Sequence, residues 1–127
     1  MKLFWLMAAG ALGAAARYGM TLAIQGWLSS RGSQFPLATL VINVLGSLLA
    51  SFVVTLAVHE VVRPEWRLIV GTGFLGAFTT FSTFELEAEA LISDGRWLPA
   101  SIYIGGNLVF GFIGILVGRA LAFRLIA

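Results

Sequence analysis

The chain has 127 residues, of which 59% are hydrophobic and only 11% are charged, and its mean hydropathy is +0.95. A soluble domain carries roughly a quarter charged residues, and a fold of this size cannot bury so much apolar surface away from water. The sequence therefore predicts one integral membrane domain, residues 1–127, in contact with the lipid bilayer. The chain has no cysteine, which excludes a disulfide framework and thiol chemistry. Its formal net charge of +2 indicates an orientation bias in a membrane, with no nucleic-acid partner expected.

Four apolar segments are long enough to cross a bilayer, which takes about 20 apolar residues in a helix. They cover residues 3–28, 36–58, 66–92 and 98–123, and short polar joins separate them. The four tryptophans fall near the segment ends, where indole rings prefer the membrane interface. The first segment begins like a signal peptide, with a lysine and an apolar run, but its apolar pattern continues to Ile24. We therefore expect a true first span and an all-α fold of four transmembrane helices.

The basic residues divide unequally between the two sides of this predicted bundle. Five fall on the side of the N-terminus and two on the other: Lys2, Arg63, Arg67, Arg119 and Arg124, against Arg31 and Arg96. Positive residues favour the cytoplasmic side, so the distribution favours an N-terminus that faces inside. Insertion in both orientations stays open.

Glycine is abundant in the predicted spans, with 15 residues in the chain. Gly114 and Gly118 form a small-x-x-x-small pair, which is typical of close helix packing in membranes. Four spans enclose little space by themselves, so we expect the chain to form an oligomer.

The second span carries polar residues at every fourth position. Positions four apart share one slowly winding face of a helix, and this face holds Thr39, Asn43, Ser47, Ser51 and Thr55. The hydroxyls are compatible with ordinary hydrogen bonding between helices. For Asn43 a functional role is favoured, because a mid-span amide has two donor hydrogens that need partners. The fourth span repeats the spacing with Tyr103, Asn107 and Gly111.

Two further sets of charged residues fall within the predicted spans. Arg17 lies deep in the first span, where a cation marks a functional site or water access, or extends to the interface as a structural residue; both interpretations stay open. Glu85, Glu87 and Glu89 lie in the third span, and which of them faces a pathway is also open. Paired carboxylates can serve acid–base chemistry, but no nucleophile, metal-ligand set or cofactor motif accompanies them. We therefore expect no enzyme activity.

The third span contains the run GAFTTFSTF at residues 76–84. The glycines Gly73 and Gly76 and the β-branched pair Thr79 and Thr80 weaken a continuous helix, so we predict a break in the middle of the span. Unwound backbone at membrane depth is tolerated only where it is buried or lines a cavity, and its free carbonyls can bind a cation. Phe81 and Phe84 share a face beyond the break. Their ring edges carry partial positive charge that tolerates an anion, although plain packing explains isolated phenylalanines as well.

Three stretches of the chain together resemble the Fluc (CrcB) family of fluoride channels. They are GALGAAARY at residues 10–18, TLVINVLGS at 39–47 and GFLGAFTTFSTFE at 73–85, and they occur in this order with the family's spacing. The resemblance covers the whole chain. The run TTFSTF in the third of four short spans is its most specific part.

The resemblance implies an antiparallel, dual-topology homodimer in the cell inner membrane, with two pores that each use residues of both copies. It implies passive electrodiffusion of cytoplasmic fluoride out of the cell, which confers fluoride resistance. It also implies a structural Na⁺ at the centre of the dimer, held by the backbone carbonyls of Gly76 and Thr79 from both copies.

The resemblance also assigns roles to individual side chains. Phe81 and Phe84 would offer ring edges to fluoride, Asn43 would donate its amide, and Arg17 would lie in the vestibule. The rest of the implied pathway consists of polar residues: Thr39, Ser82, Thr83, Glu87, Tyr103 and Asn107. Some family members have hydroxyls at the positions of Asn107 and Gly111. Asn107 can still donate a hydrogen bond, whereas Gly111 cannot.

Two other classes of protein share the size and the four spans. A small dual-topology multidrug exporter exchanges protons for cationic drugs and needs a carboxylate in its first span, where this chain has Arg17 and no acid. An assembly subunit of a larger membrane complex would explain the glycines. It would not explain the polar face of the second span or the run at residues 76–84.

Overall fold

The computed structural model describes residues 1–127 as four helical runs joined by short turns, in agreement with the predicted all-α class. The first two runs are single helices, α1 (Lys2–Ser29) and α2 (Leu37–Val58). The third run, residues 64–93, consists of four pieces: α3 (Pro64–Trp66), a π-helical segment (Arg67–Leu75), α4 (Gly76–Phe78) and α5 (Phe81–Ser93). The fourth run is α6 (Trp97–Ile126). Gly32 and Gly95 adopt positive φ angles in the turns after the first and third runs, where glycine carries no steric penalty.

The surface of the chain is mainly apolar. Only 22 of the 127 residues are buried, so most of the many apolar side chains face outward, as they do in lipid and not in water. Two helices, α2 and α6, are long and apolar enough to cross a membrane by length and composition. For α1 and the divided third run, membrane crossing stays a prediction.

Glycines bring α2 and α6 into close contact. A Cβ atom added to Gly114 would lie 2.9 Å from the Val44 carbonyl oxygen, and one added to Gly118 would overlap the Leu48 carbonyl. Both obstacles are backbone atoms of α2, which cannot move aside as a side chain can. The pair therefore has the packing role that its spacing predicted.

Glycines packed against backbone also bring α1 into close contact with the π-helical segment. A Cβ atom on Gly13 would overlap the Phe74 carbonyl, and one on Gly73 would lie 3.0 Å from the Leu6 carbonyl oxygen. These contacts hold the third run against α1 just before the run is interrupted. Because π-helical turns are rare and frequently occur at functional sites, the segment indicates that a functional site lies near the residues that follow it.

The third run leaves the helical conformation at Thr79 and Thr80. Their φ and ψ angles are −77° and 159°, and −151° and 116°, which are extended values. The sequence predicted a break from Gly76 to Thr79, but Gly76 itself is helical, at φ −62° and ψ −34°. The extended residues therefore come after α4, and their position at mid-membrane depth stays a prediction.

The α2–α6 contact can be tested with two glycine substitutions on the same helix. We expect Gly118→Ala to lower the free energy of unfolding by about 1–3 kcal/mol, because the methyl group would press on backbone. Gly105→Ala is the matched control, since no atom lies within 4 Å of its added Cβ. Thermal unfolding of the purified protein measures both. Equal Tm values for the two variants would contradict the close packing at Gly118.

Candidate functional site

A cavity of about 410 Å³ opens where α2, α6 and the interruption of the third run meet. It brings together six of the residues that sequence analysis selected: Asn43, Gly76, Thr79, Phe81, Phe84 and Asn107. Ser47 and Thr80 also line it. Two residues of the second span's polar face, Asn43 and Ser47, thus form one site with the run at residues 76–84, although they are far apart in sequence.

The side chain of Asn43 holds the interrupted backbone in place. Its Oδ1 accepts a hydrogen bond from the Thr80 N–H at 3.0 Å, and its Nδ2 donates to the Thr80 carbonyl at 3.2 Å. The amide thus pairs with both backbone groups of an extended residue, as a neighbouring β-strand would. Its Nδ2 also donates to Asn107 Oδ1 at 3.1 Å. Both amide hydrogens of Asn43, which were expected to need partners, are therefore hydrogen-bonded within the chain.

Two backbone donors are diverted from the helix at this point. In a regular α-helix each N–H bonds the carbonyl four residues earlier, so Thr80 would bond Gly76, and Thr83 would bond Thr79. Here the Thr80 N–H bonds Asn43 Oδ1, and the Thr83 N–H bonds Thr80 Oγ1 at 3.3 Å. The carbonyls of Gly76 and Thr79 consequently lose their usual helical partners, and both residues line the cavity.

A line of hydrogen-bonded polar residues leads away from the cavity. Asn107 donates to the Tyr103 carbonyl at 3.0 Å, and the Tyr103 hydroxyl donates to Glu87 Oε2 at 2.6 Å. Glu87 in turn lines a second cavity, of about 390 Å³, beside the turn between α1 and α2. The polar line Asn43–Asn107–Tyr103–Glu87 therefore connects the two cavities. Tyr103 is 0% exposed, and its side chain lines neither cavity.

Aromatic rings follow the same route. The ring centroids of Phe81 and Phe84 lie 5.6 Å apart and those of Phe84 and Tyr103 lie 5.5 Å apart, each pair at 53°. Phe81 is 67% exposed and Phe84 is buried. The phenylalanines selected from the sequence thus form a tilted series of rings from the open cavity to the buried tyrosine.

The remaining selected residues lie outside the open cavity. Thr39 is buried on α2, Ser82 is exposed, and Arg17 is half-buried on α1. Thr83 accepts a hydrogen bond from Thr80 Oγ1 at 2.9 Å. Among the three glutamates, Glu87 alone belongs to the polar line; Glu85 and Glu89 are exposed.

The part played by Thr80 was not predicted from the sequence. The residue types indicated only that Thr80 weakens a helix, whereas its Oγ1 caps the first turn of α5. A threonine directly before a resumed helix is a common N-cap, so the signal was present. The two hydrogen bonds between the Asn43 amide and the backbone of Thr80, here called the clamp, had no such local signal, because they join residues 37 positions apart.

The apolar exterior, two helices of membrane-spanning length and an open polar cavity define a small helical membrane protein. The family model described as "CrcB-like protein, Camphor Resistance (CrcB)" matches residues 4–119. The chain therefore belongs to the Fluc (CrcB) fluoride ion channel family, as its three motifs indicated.

Several curated proteins are similar over nearly the whole chain. "Fluoride-specific ion channel FluC 2" of Symbiobacterium thermophilum is 47% identical, covering 92% of this chain and 94% of the relative. "Fluoride-specific ion channel FluC" of Acidobacterium capsulatum is 40% identical, with 100% of both chains covered. The protein of the same name from Nitratidesulfovibrio vulgaris is 42% identical, covering 93% of this chain and 97% of the relative. These relatives are named ion channels, a class distinct from enzymes.

The clamp on Thr80 can be tested by truncating Asn43. We expect Asn43→Ala to lower the free energy of unfolding by about 1–3 kcal/mol, because it leaves the Thr80 N–H and carbonyl without their partner. Ser51→Ala, at a half-buried position on the same helix, is the control and is expected to change stability by less than about 0.5 kcal/mol. Thermal unfolding provides the measurement. A variant at Asn43 as stable as the wild type would show that the clamp contributes nothing.

Proposed function

We propose that this chain forms a fluoride-selective channel that lets cytoplasmic fluoride leave the cell by passive electrodiffusion. The observation that carries the proposal is the polar line Asn43–Asn107–Tyr103–Glu87, which follows the rings of Phe81 and Phe84. The names of the relatives supply the ion, since each is called a fluoride-specific ion channel. They favour a channel over a multidrug-type exporter or an assembly subunit.

The chemistry of the site suits a small anion. Fluoride is strongly hydrated, and a row of weak donors can replace its water without binding it tightly, as conduction requires. Amide hydrogens of Asn43 and Asn107 and the edges of the two phenylalanine rings provide such donors. The Asn43 hydrogen that now bonds Asn107 Oδ1 is the one that fluoride would take, because the other bonds the backbone of Thr80.

The open side of the cavity supports an oligomeric channel. Phe81 presents a large apolar ring beside polar groups at the cavity's edge and is 67% exposed, an arrangement that a second copy would cover. We propose an antiparallel dual-topology homodimer that crosses the cell inner membrane several times and contains two pores. Thr39, Ser82 and Thr83 would complete the polar path, and Arg17 would lie in the vestibule and attract anions.

The diverted backbone donors support a structural Na⁺ site at the dimer centre. The carbonyls of Gly76 and Thr79 lack their regular helical partners and line the open cavity, and neutral oxygens of this kind suit a small hard cation. Two copies of the chain would supply four such oxygens. A Na⁺ bound there would neutralise these carbonyl dipoles. The residues present therefore fit the cation, and Asn43 and Thr80 hold its ligands free of the helix.

Fluoride transport can be tested with purified protein in liposomes. We expect fluoride efflux without chloride efflux, and a roughly two- to tenfold slower fluoride efflux for Phe81→Ala, which corresponds to the loss of a ring-edge contact. Phe4→Ala is a matched control, because Phe4 is 66% exposed and Phe81 is 67% exposed, and only Phe81 lines the cavity. A fluoride-selective electrode follows the release. Equal chloride and fluoride efflux would overturn the proposed function.

The Na⁺ site can be tested by replacing Na⁺ with a large organic cation while Tm is measured. We expect Na⁺ to stabilise the wild-type dimer. Thr80→Val should raise the Na⁺ concentration needed for half of this effect roughly two- to tenfold, since it removes the hydroxyl that diverts the Thr83 N–H. Thr80→Ser keeps that hydroxyl and should behave as the wild type.

The control for this experiment is Thr55→Val, which removes a threonine hydroxyl that bonds its own helix at Ser51. A wild-type protein indifferent to Na⁺ would disprove the cation site. A Na⁺ response that Thr80→Val leaves unaltered would disprove only the role of Thr80.

A further inference from the structure

A groove of about 570 Å³ lies at the end of the bundle where α1 and the third run both begin. Its polar residues are Lys2, Arg63 and Glu65, and Trp5, Trp66 and Leu68 are among its apolar ones. It is separate from the two cavities of the polar line and shares no residue with them.

The groove has an excess of positive charge. Lys2 Nζ lies 3.9 Å from Glu65 Oε1, and Arg63 Nε lies 3.9 Å from Glu65 Oε2. One carboxylate thus faces two cations, each at a long distance for an ion pair. The side chains of Lys2 and Arg63 are 75% and 84% exposed, and exposed pairs of this kind are weak. Both cations are therefore available to a second anion.

The groove is also amphipathic. Trp5 and Trp66 are 53% and 52% exposed, and tryptophan is enriched where the acyl region of a membrane meets its headgroups. Leu68 and Ile69 continue the apolar lining along the third run. The charged and apolar parts thus match the two parts of a lipid molecule.

The opposite end of the bundle has a different character. The cavity there is lined by two acids, Glu87 and Asp94, and by one base, Arg96. Its charge is net negative, whereas that of the groove is net positive. An anionic ligand therefore has a reason to prefer the groove.

We propose that the groove binds one anionic phospholipid, with the phosphate between Lys2 and Arg63 and an acyl chain along the tryptophans. Cations close to a membrane surface attract anionic headgroups, and such basic pockets at helix ends are a recurring form of lipid site. The proposal does not depend on which ion the chain conducts.

The test is native mass spectrometry of the purified full chain after extraction from vesicles of equal parts phosphatidylglycerol and phosphatidylcholine. We expect the wild type to retain phosphatidylglycerol preferentially. In the double variant Lys2→Gln with Arg63→Gln, the ratio of retained phosphatidylglycerol to phosphatidylcholine should fall about tenfold, because both headgroup contacts disappear. Arg31→Gln with Arg96→Gln removes the same charge at the opposite end and should keep the preference. Glu65→Gln removes the competing carboxylate and should strengthen it.

Four results of the mass spectrometry would overturn the proposal. They are a wild type without preference, an equal loss in both double variants, a weaker preference in Glu65→Gln, and a subunit number altered by the first double variant, which would make the groove a contact between copies. In a parallel thermal scan, phosphatidylglycerol should raise Tm and inorganic phosphate alone should not. If phosphate alone has the same effect, the site binds a free anion and the lipid assignment is wrong.

Discussion

The hydrogen bonds between the Asn43 amide and the backbone of Thr80 are the contact on which the rest of the site depends. They allow an extended residue to exist inside a helical bundle without unsatisfied backbone groups, which are costly in an apolar environment. Because Thr80 is held extended, its hydroxyl can cap α5, and the carbonyls of Gly76 and Thr79 are released from the helix. The direction of α5, and with it the placing of both phenylalanine rings, follows from the same clamp.

The general fold was accessible from the sequence because it depends on local patterns. Apolar length and polar joins placed four helical runs within a few residues of their observed bounds, and the Gly114–Gly118 spacing predicted a close helix contact. The run at residues 76–84 was recognised as unusual because its residue types conflict with a regular helix. Such conflicts mark functional sites more often than errors of folding.

The detailed geometry was less accessible because it depends on contacts between distant parts of the chain. Propensity located a weak point near Gly76, but the extended residues are Thr79 and Thr80, where a partner from α2 is available. Four-residue spacing grouped Asn43 with four hydroxyl residues, yet Asn43 has a different role from Thr55, which bonds its own helix. The residues alone left Glu87 and its two neighbours equivalent, and only the family resemblance selected Glu87. Its hydrogen bond with Tyr103, which lies on another helix, gives the physical reason.

The complete use of the Asn43 hydrogens has a further consequence for ion selection. An anion that binds the second Asn43 hydrogen must take it from the amide oxygen of Asn107. Entry is then an exchange of acceptors, and its free energy depends on how much more basic the ion is than an amide carbonyl. Fluoride, with its compact charge, is a stronger hydrogen-bond acceptor than chloride. In the proposed channel, discrimination of this kind would work by competition for a proton donor and would not require a rigid pore of fixed diameter.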